Sequence, residues 1–508
     1  MRVNVIEYFE QGARIQCPDK IAVHDPCGQY TFAQLERYAK NCAALILQRT
    51  TEKRQPIAVF LPKSVQNIAA DLGILYSANA YANLDIKSPP MRLKGMLDHL
   101  NPSVIITTSS CAGMLCELGI SIDRLLMIEQ AMGDKMLFEN SVLLERVETL
   151  IDTDPYCFIH TSGSTGNPKA VALNHRSTMD FADWAFERLG LDGTEVMGSL
   201  APIVFDAYTL EFCLLLAKGA TLTVVPETLS AFPTRLVEFI ASEPVNFLFW
   251  VPTIMVNIAN QDLLAGINLD RIRKVFFIGE VFPTRHLNYW RRHLPKAQFV
   301  NLYGPIETTV ASTYFIVDRE MADDEKLPVG FPCKNTDILI LNDQNQPAKT
   351  EEPGEICVRG SSLALGYYDN PERTALGFIQ NPLNPHYPEW IYRTGDSGYR
   401  NERGEIMLLG RKDFQIKHQG YRIELGEIEH AVLKIDGVRN GCVVYNHAKK
   451  EIVLYYESAE ELTPAYLRES LMPILPKYML PTAFRWMELM PRNGNGKIDR
   501  ARLVESVH

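Results

Sequence analysis

No stretch of this 508-residue chain approaches 18 consecutive uncharged apolar residues, so the sequence carries no candidate membrane-spanning helix. The N-terminus, MRVNVIEYFEQGARIQ, lacks the unbroken apolar core of a secretory signal, and its spaced charges predict an amphipathic helix instead. Ten cysteines are present, but none forms a CxxC pair or a Cys/His pair at zinc-binding spacing. They read as reduced thiols packed in cores. No basic run stands out, and the net charge of −10 argues against nucleic acid as the main partner. Internal repeats and low-complexity linkers are also missing. These absences leave a cytoplasmic globular protein of enzyme size as the expectation.

What is present is a chain with 46% apolar residues, enough for a substantial core and more than one domain. Thr31 and Gln34 form a capping-box pattern that opens a helix running to about Gln48. Ile57 to Leu61 predicts a buried strand and Val65 to Tyr76 another helix. Such alternation predicts α/β architecture with largely parallel sheets. Near residue 410 the texture changes: GRKDFQIKHQGYRIELGEIEHAV passes from short strands into an amphipathic helix. The expected organisation is a large domain over 1–410 and a small α+β domain over 411–508, the latter mildly basic beside an acidic remainder.

The most informative segment is HTSGSTGNPKAV, residues 160–171, between strand-like runs at Tyr156 to Ile159 and Val171 to Leu173. Gly163 and Gly166 allow close backbone approach, Thr161, Ser162, Ser164 and Thr165 supply hydroxyls, and Lys169 supplies positive charge for phosphoryl oxygens. This is not the standard P-loop, because no Ser or Thr follows the lysine to hold magnesium. Further along, NLYGPIETT places Glu307 past a Tyr-Gly-Pro turn, where a carboxylate could hold magnesium. YRTGDSGYR sets Asp396 in an expected glycine turn, suited to accepting both hydroxyls of a ribose, with Arg411 available to the same sugar or a phosphate. Lys497 lies in the glycine-rich stretch PRNGNGKIDR.

In this order, TSGSTGNPK, FDAYTLEF, NLYGPIETT, GEICVRG, YRTGD, GRKDFQIKHQGYRIELGEIE and NGNGKIDR resemble the adenylate-forming enzymes, essentially end to end. Among their branches the chain looks most like a stand-alone amino-acid adenylation domain of the nonribosomal peptide synthetase type. The resemblance implies stacked β-sheets with helices and a small β-barrel-like subdomain in the large domain, and a mobile small domain. It also implies two half-reactions: formation of an aminoacyl adenylate from ATP, then transfer to a phosphopantetheine thiol. Lys169 and the hydroxyl loop would hold the phosphates and Glu307 the magnesium. Asn301, Tyr303, Gly304, Asp396 and Arg411 would bind the nucleotide, Lys497 would bridge carboxylate and α-phosphate, and Asp413 would be the hinge between the two steps. With no phosphopantetheine-bearing serine motif after Lys497, the carrier protein is expected as a separate chain, and a small activator protein is a conceivable second partner.

The same resemblance assigns the substrate pocket. Asp206 would bind the α-ammonium, and Ala207, Leu210, Phe249, Phe276, Ile278, Leu302, Val310 and Ala311 would form the walls. An apolar wall disfavours charged side chains, and Ile278 makes the pocket shallow, so alanine is favoured, with proline, valine or 2-aminobutyrate behind. Three departures from the family pattern stand out: Ala170 after the loop lysine, Ile306 before the glutamate, and NLDIKSPPMRL at 83–93 in place of a proline-rich version. They raise one alternative, a non-catalytic paralogue that binds nucleotide or carrier; a carboxylate:CoA ligase of the same fold is a further reading, against which Asp206 argues.

Overall fold

The computed structural model describes residues 2–163, 168–411, 415–492 and 498–506. Lys497, Asp413, Ser164, Thr165 and Gly166 therefore lie outside the described residues. The chain divides into two compact units, one formed by 1–85, 101–159 and 170–412, the other by 86–100, 160–169 and 413–508.

The first unit is a mixed α/β body. Its largest sheet has nine described strands, in the order Phe331–Pro332, Thr313–Ile316, Gln298–Tyr303, Lys274–Ile278, Phe247–Trp250, Val196–Ser199, Thr221–Val224, Ile21–Asp25 and Gly28–Thr31. The central strands are parallel and the outer pairs antiparallel. A seven-stranded sheet includes Ala80–Asn83, Pro56–Phe60 and Pro155–Thr161, and an antiparallel five-stranded sheet carries the long strand Trp390–Arg400. The expected α/β class with several sheets is what the chain forms.

Local predictions hold where patterning is strong. The capping box at Thr31 opens the helix Phe32–Leu47, with both reciprocal bonds made. Val65–Tyr76 is helical and buried on nearly every side, as is Ala207–Lys218. Helices with apolar residues on every face belong in the interior, even with a few buried polar side chains, and both contribute to one large cluster with the inner faces of the sheets. At the N-terminus, the single amphipathic helix expected from periodicity is two short ones, Ile6–Gln11 and Ala13–Gln16, interrupted at Gly12.

In the second unit, Gln415–His418 and Tyr421–Glu424 form a hairpin whose two turn residues, Gln419 and Gly420, both have positive φ. That is the turn geometry matching strand twist. Helix Leu425–Val432 follows directly and covers an antiparallel pair, Val438–Asn446 with Glu451–Ser458, around its own apolar core.

Candidate active site

Strand Gln298–Tyr303 carries two of the residues expected at the nucleotide site, Asn301 and Tyr303. Asn301 donates to the Pro328 carbonyl at 2.8 Å, and the buried Tyr303 hydroxyl donates to Asp396 Oδ2 at 2.6 Å. Arg411 Nη1 holds the other carboxylate oxygen, Oδ1, at 2.9 Å. Burial, reinforced by the Asp396 charge, raises the Tyr303 phenol well above its usual pKa, so it stays a donor. The expectation that Asp396 sits in a glycine turn needs correction. Asp396 lies inside the eleven-residue strand Trp390–Arg400, paired with Arg411, and Gly395 at φ 73 and a register shift after Ser397 mark an irregularity rather than a chain reversal. Each carboxylate oxygen has a further lone pair for a diol.

Past Tyr303 the backbone is tightly folded. A Cβ on Gly304 would stand 2.8 Å from the Ala311 Cα, the Ser312 nitrogen and the Val310 oxygen, so only glycine fits. Residues Ile306–Thr308 make one 3-10 turn carrying Glu307, fully buried, whose Oε1 accepts the Tyr367 hydroxyl at 2.6 Å. Ile306 packs its side chain on the main apolar cluster, which explains an apolar residue there. Ala170, the other departure in the motifs, is a fully buried strand residue whose carbonyl accepts the Tyr368 amide.

The apolar pocket residues are all buried and share that cluster. Phe249 stands opposite Phe276 across parallel strands, their rings edge to face at 6.4 Å, and Ile278 stands opposite Leu302. Ala207 and Leu210 come from the Ala207–Lys218 helix, and Asp206, only half-buried, occupies that helix's N-cap position without capping it. A small cavity, on the order of one water molecule in capacity, lies beside this segment, lined by Ile203, Phe205, Tyr208, Tyr81, Asn83 and Phe158 among others. None of these six was assigned a role from the sequence, although Phe205 and Tyr208 lie in FDAYTLEF and Asn83 heads NLDIKSPPMRL.

In the second unit, the described ends of the 160–169 loop are held by the RIELGEIE segment. Ser162 donates to the Arg422 carbonyl at 2.8 Å and accepts the Glu424 amide at 3.0 Å, and the Gly163 N–H donates to Glu427 at 3.1 Å. Lys169 lies 3.8 Å from Glu424, and Arg92 forms an ion pair with Glu427. Thr161 Oγ1 is buried with no hydrogen-bond partner among the described residues. Carboxylates thus accept at positions from which a phosphate oxygen could be bound. Glu424, Glu427 and Arg92 went unassigned in the sequence because a charge within a helical pattern reads as a solvated face.

A family model described as AMP-binding enzyme matches residues 9–368. The chain belongs to this family. Among similar curated proteins, the D-alanine–D-alanyl carrier protein ligase of Streptococcus pyogenes is 30% identical, over 99% of both chains. Tyrocidine synthase 1 of Brevibacillus parabrevis is 29% identical over 99% of this chain, which spans only 45% of that protein. Of solved structures, the Vibrio cholerae adenylation domain AlmE, in complex with glycyl-adenosine-5'-phosphate, superposes with a TM-score of 0.83 at 22% identity, covering 99% of this chain and 96% of its own, a likeness of fold. For an AMP-binding enzyme, donor chemistry is in place: Glu307 offers a hard oxygen of the kind magnesium takes. Among the described residues no three His, Cys, Asp or Glu side chains converge as a metal cluster.

Proposed function

We propose that this AMP-binding enzyme is an ATP-dependent ligase that activates a small aliphatic amino acid, alanine first, with proline, valine or 2-aminobutyrate next, and passes it to the phosphopantetheine thiol of a separate carrier protein. The observation that carries the reading is Asp206, a half-buried carboxylate at the head of a helix whose neighbouring assigned walls are all apolar and buried. Such a carboxylate favours a cationic partner, and an α-ammonium is one. The same-length relative named for D-alanine ligation to a carrier supports both substrate and acceptor.

In the first half-reaction the substrate carboxylate oxygen bonds to the α-phosphorus of ATP and pyrophosphate leaves. The protein positions reactants and offsets charge. Tyr303, Asp396 and Arg411 would orient the ribose, Lys169 and the loop hydroxyls the phosphates, Glu307 magnesium, and Lys497 the attacking carboxylate. In the second, the carrier thiol sulfur bonds to the acyl carbon, the bond to AMP breaks, and the thiol proton is released.

The test is amino-acid-dependent exchange of labelled pyrophosphate into ATP, across the proteinogenic amino acids with aryl and fatty acids as controls. Exchange with a small aliphatic amino acid is the expected outcome. Preference for Phe, Lys or Asp would overturn the pocket assignment, exchange only with other carboxylic acids would make the chain a carboxylate:CoA ligase, and ATP binding without any exchange would make it a non-catalytic paralogue.

A further inference from the structure

Asp71 is a carboxylate in the fully buried interior of the Val65–Tyr76 helix, and no basic side chain is among its hydrogen-bond partners. Its Oδ2 receives the Tyr208 hydroxyl at 2.9 Å, Asn83 Nδ2 at 3.1 Å and Asn67 Nδ2 at 3.3 Å, while Oδ1 has no hydrogen-bond partner among the described residues. Asn67 also donates to Asn83 Oδ1 at 3.0 Å, and Asn83 reaches the Ile203 carbonyl at 3.5 Å. Burial raises the Asp71 pKa to about 7.

Helices that share one apolar cluster have no need of such a group. Apolar residues of similar volume would hold them together at no desolvation cost, so a buried polar network has to be explained by what it orients. Its outward reach is specific. Tyr208 is the second residue of the Ala207–Lys218 helix, two after Asp206, and Ile203 precedes Asp206 by three. The network therefore ties down the chain on both sides of that carboxylate, and the small cavity lined by Asn83, Ile203 and Tyr208 lies along the tethered segment.

We propose that Asp71, acting through the Tyr208 hydroxyl, is a positioning residue that fixes the first turn of the Ala207–Lys218 helix and with it the direction of Asp206, and so sets affinity for the amino-acid ammonium group. This rests on the role given to Asp206 above. Asp71 touches no substrate. Its effect is expected on the amino-acid side of the reaction, because its bonds lead to Tyr208 and, through Asn83, to the Ile203 carbonyl on either side of Asp206.

The experiment is pyrophosphate exchange with D71L, D71N, Y208F and the D71L/Y208F double variant, with KM for amino acid and for ATP measured separately. D71L and Y208F are each expected to raise the amino-acid KM by about tenfold, leaving the ATP KM and saturating rate within about twofold. D71N keeps an acceptor oxygen for Tyr208 and is expected to restore near-wild-type KM, and the double variant should be no worse than either single one. Y208F removes only one oxygen atom and carries the test if D71L does not fold. An unmoved amino-acid KM in Y208F, or parallel loss in ATP KM and rate, overturns the proposal while the proposed function stands. A wild-type enzyme that exchanges with no amino acid overturns both.

Discussion

Val310 has φ 62 and its neighbour Thr309 φ 57, backbone that β-branched residues adopt only under constraint, at a cost of about 1–3 kcal/mol each. The Ala311 amide closes a three-residue turn onto the Thr309 carbonyl at 2.8 Å, the Thr309 hydroxyl reaches the Ser362 carbonyl, and Ser312 bonds back to Tyr303. These bonds sustain the strain and fix two assigned pocket walls, Val310 and Ala311, close to Glu307. A different residue contributes one pH response. His175 is fully buried, its Nδ1 accepts the Val5 amide, and burial pushes its pKa down to about 4. The folded chain keeps this ring neutral where the unfolded chain, with a pKa of about 6.5, takes up a proton. Its stabilising contribution is therefore complete above pH about 6.5 and is lost as pH falls towards 4, by about 2 kcal/mol at pH 5. Urea unfolding at pH 7 and pH 5 is expected to show a larger loss in wild type than in H175N by about that amount; equal losses would show that His175 does not titrate differently on folding.

Among elements, the break between the first two helices has a definite cause. A Cβ at Gly12 would fall 2.3 Å from the Tyr8 oxygen and 2.6 Å from the Ala217 oxygen, both backbone atoms that cannot swing away. The glycine lets the N-terminal helices approach the end of Ala207–Lys218, the helix headed by Asp206. G12A is expected to destabilise the first unit by about 1–3 kcal/mol, seen as a lower unfolding midpoint. G113A is the control: in helix Ser109–Glu117 a Cβ meets nothing within 4 Å, so it should stabilise by about 0.5–1 kcal/mol. A G12A midpoint equal to wild type would mean that the helices separate without cost.

At the scale of the whole molecule, the two proposed half-reactions would make different demands on the chain. K497A is expected to lower adenylate formation by roughly 10²–10³ while leaving thioester formation from supplied aminoacyl adenylate largely intact, measured in single-turnover assays; equal loss in both would remove Lys497 from its assigned role. Much of this protein was legible in the sequence, because the signals were local. The Thr31 capping box, the strands on either side of the 160–169 segment, the short strands passing into a helix near RIELGEIE and the α/β alternation follow from chain-neighbour chemistry and periodicity. The ordered motifs likewise pointed to the AMP-binding enzymes. Tertiary structure alone decided what depends on residues far apart in sequence. Asp396 is held by Tyr303 and Arg411 inside a strand, where its glycines had suggested a turn, because pairing with Ile406–Arg411 outweighs local turn preference. Glu424 and Glu427 face the loop containing Ser162 and Gly163, and Asp71 meets Tyr208 across 137 positions, in neither case with any periodic trace in the sequence. A hydrogen bond between distant residues is specified by the packing of the elements that carry them, and that packing exists only once the chain is folded.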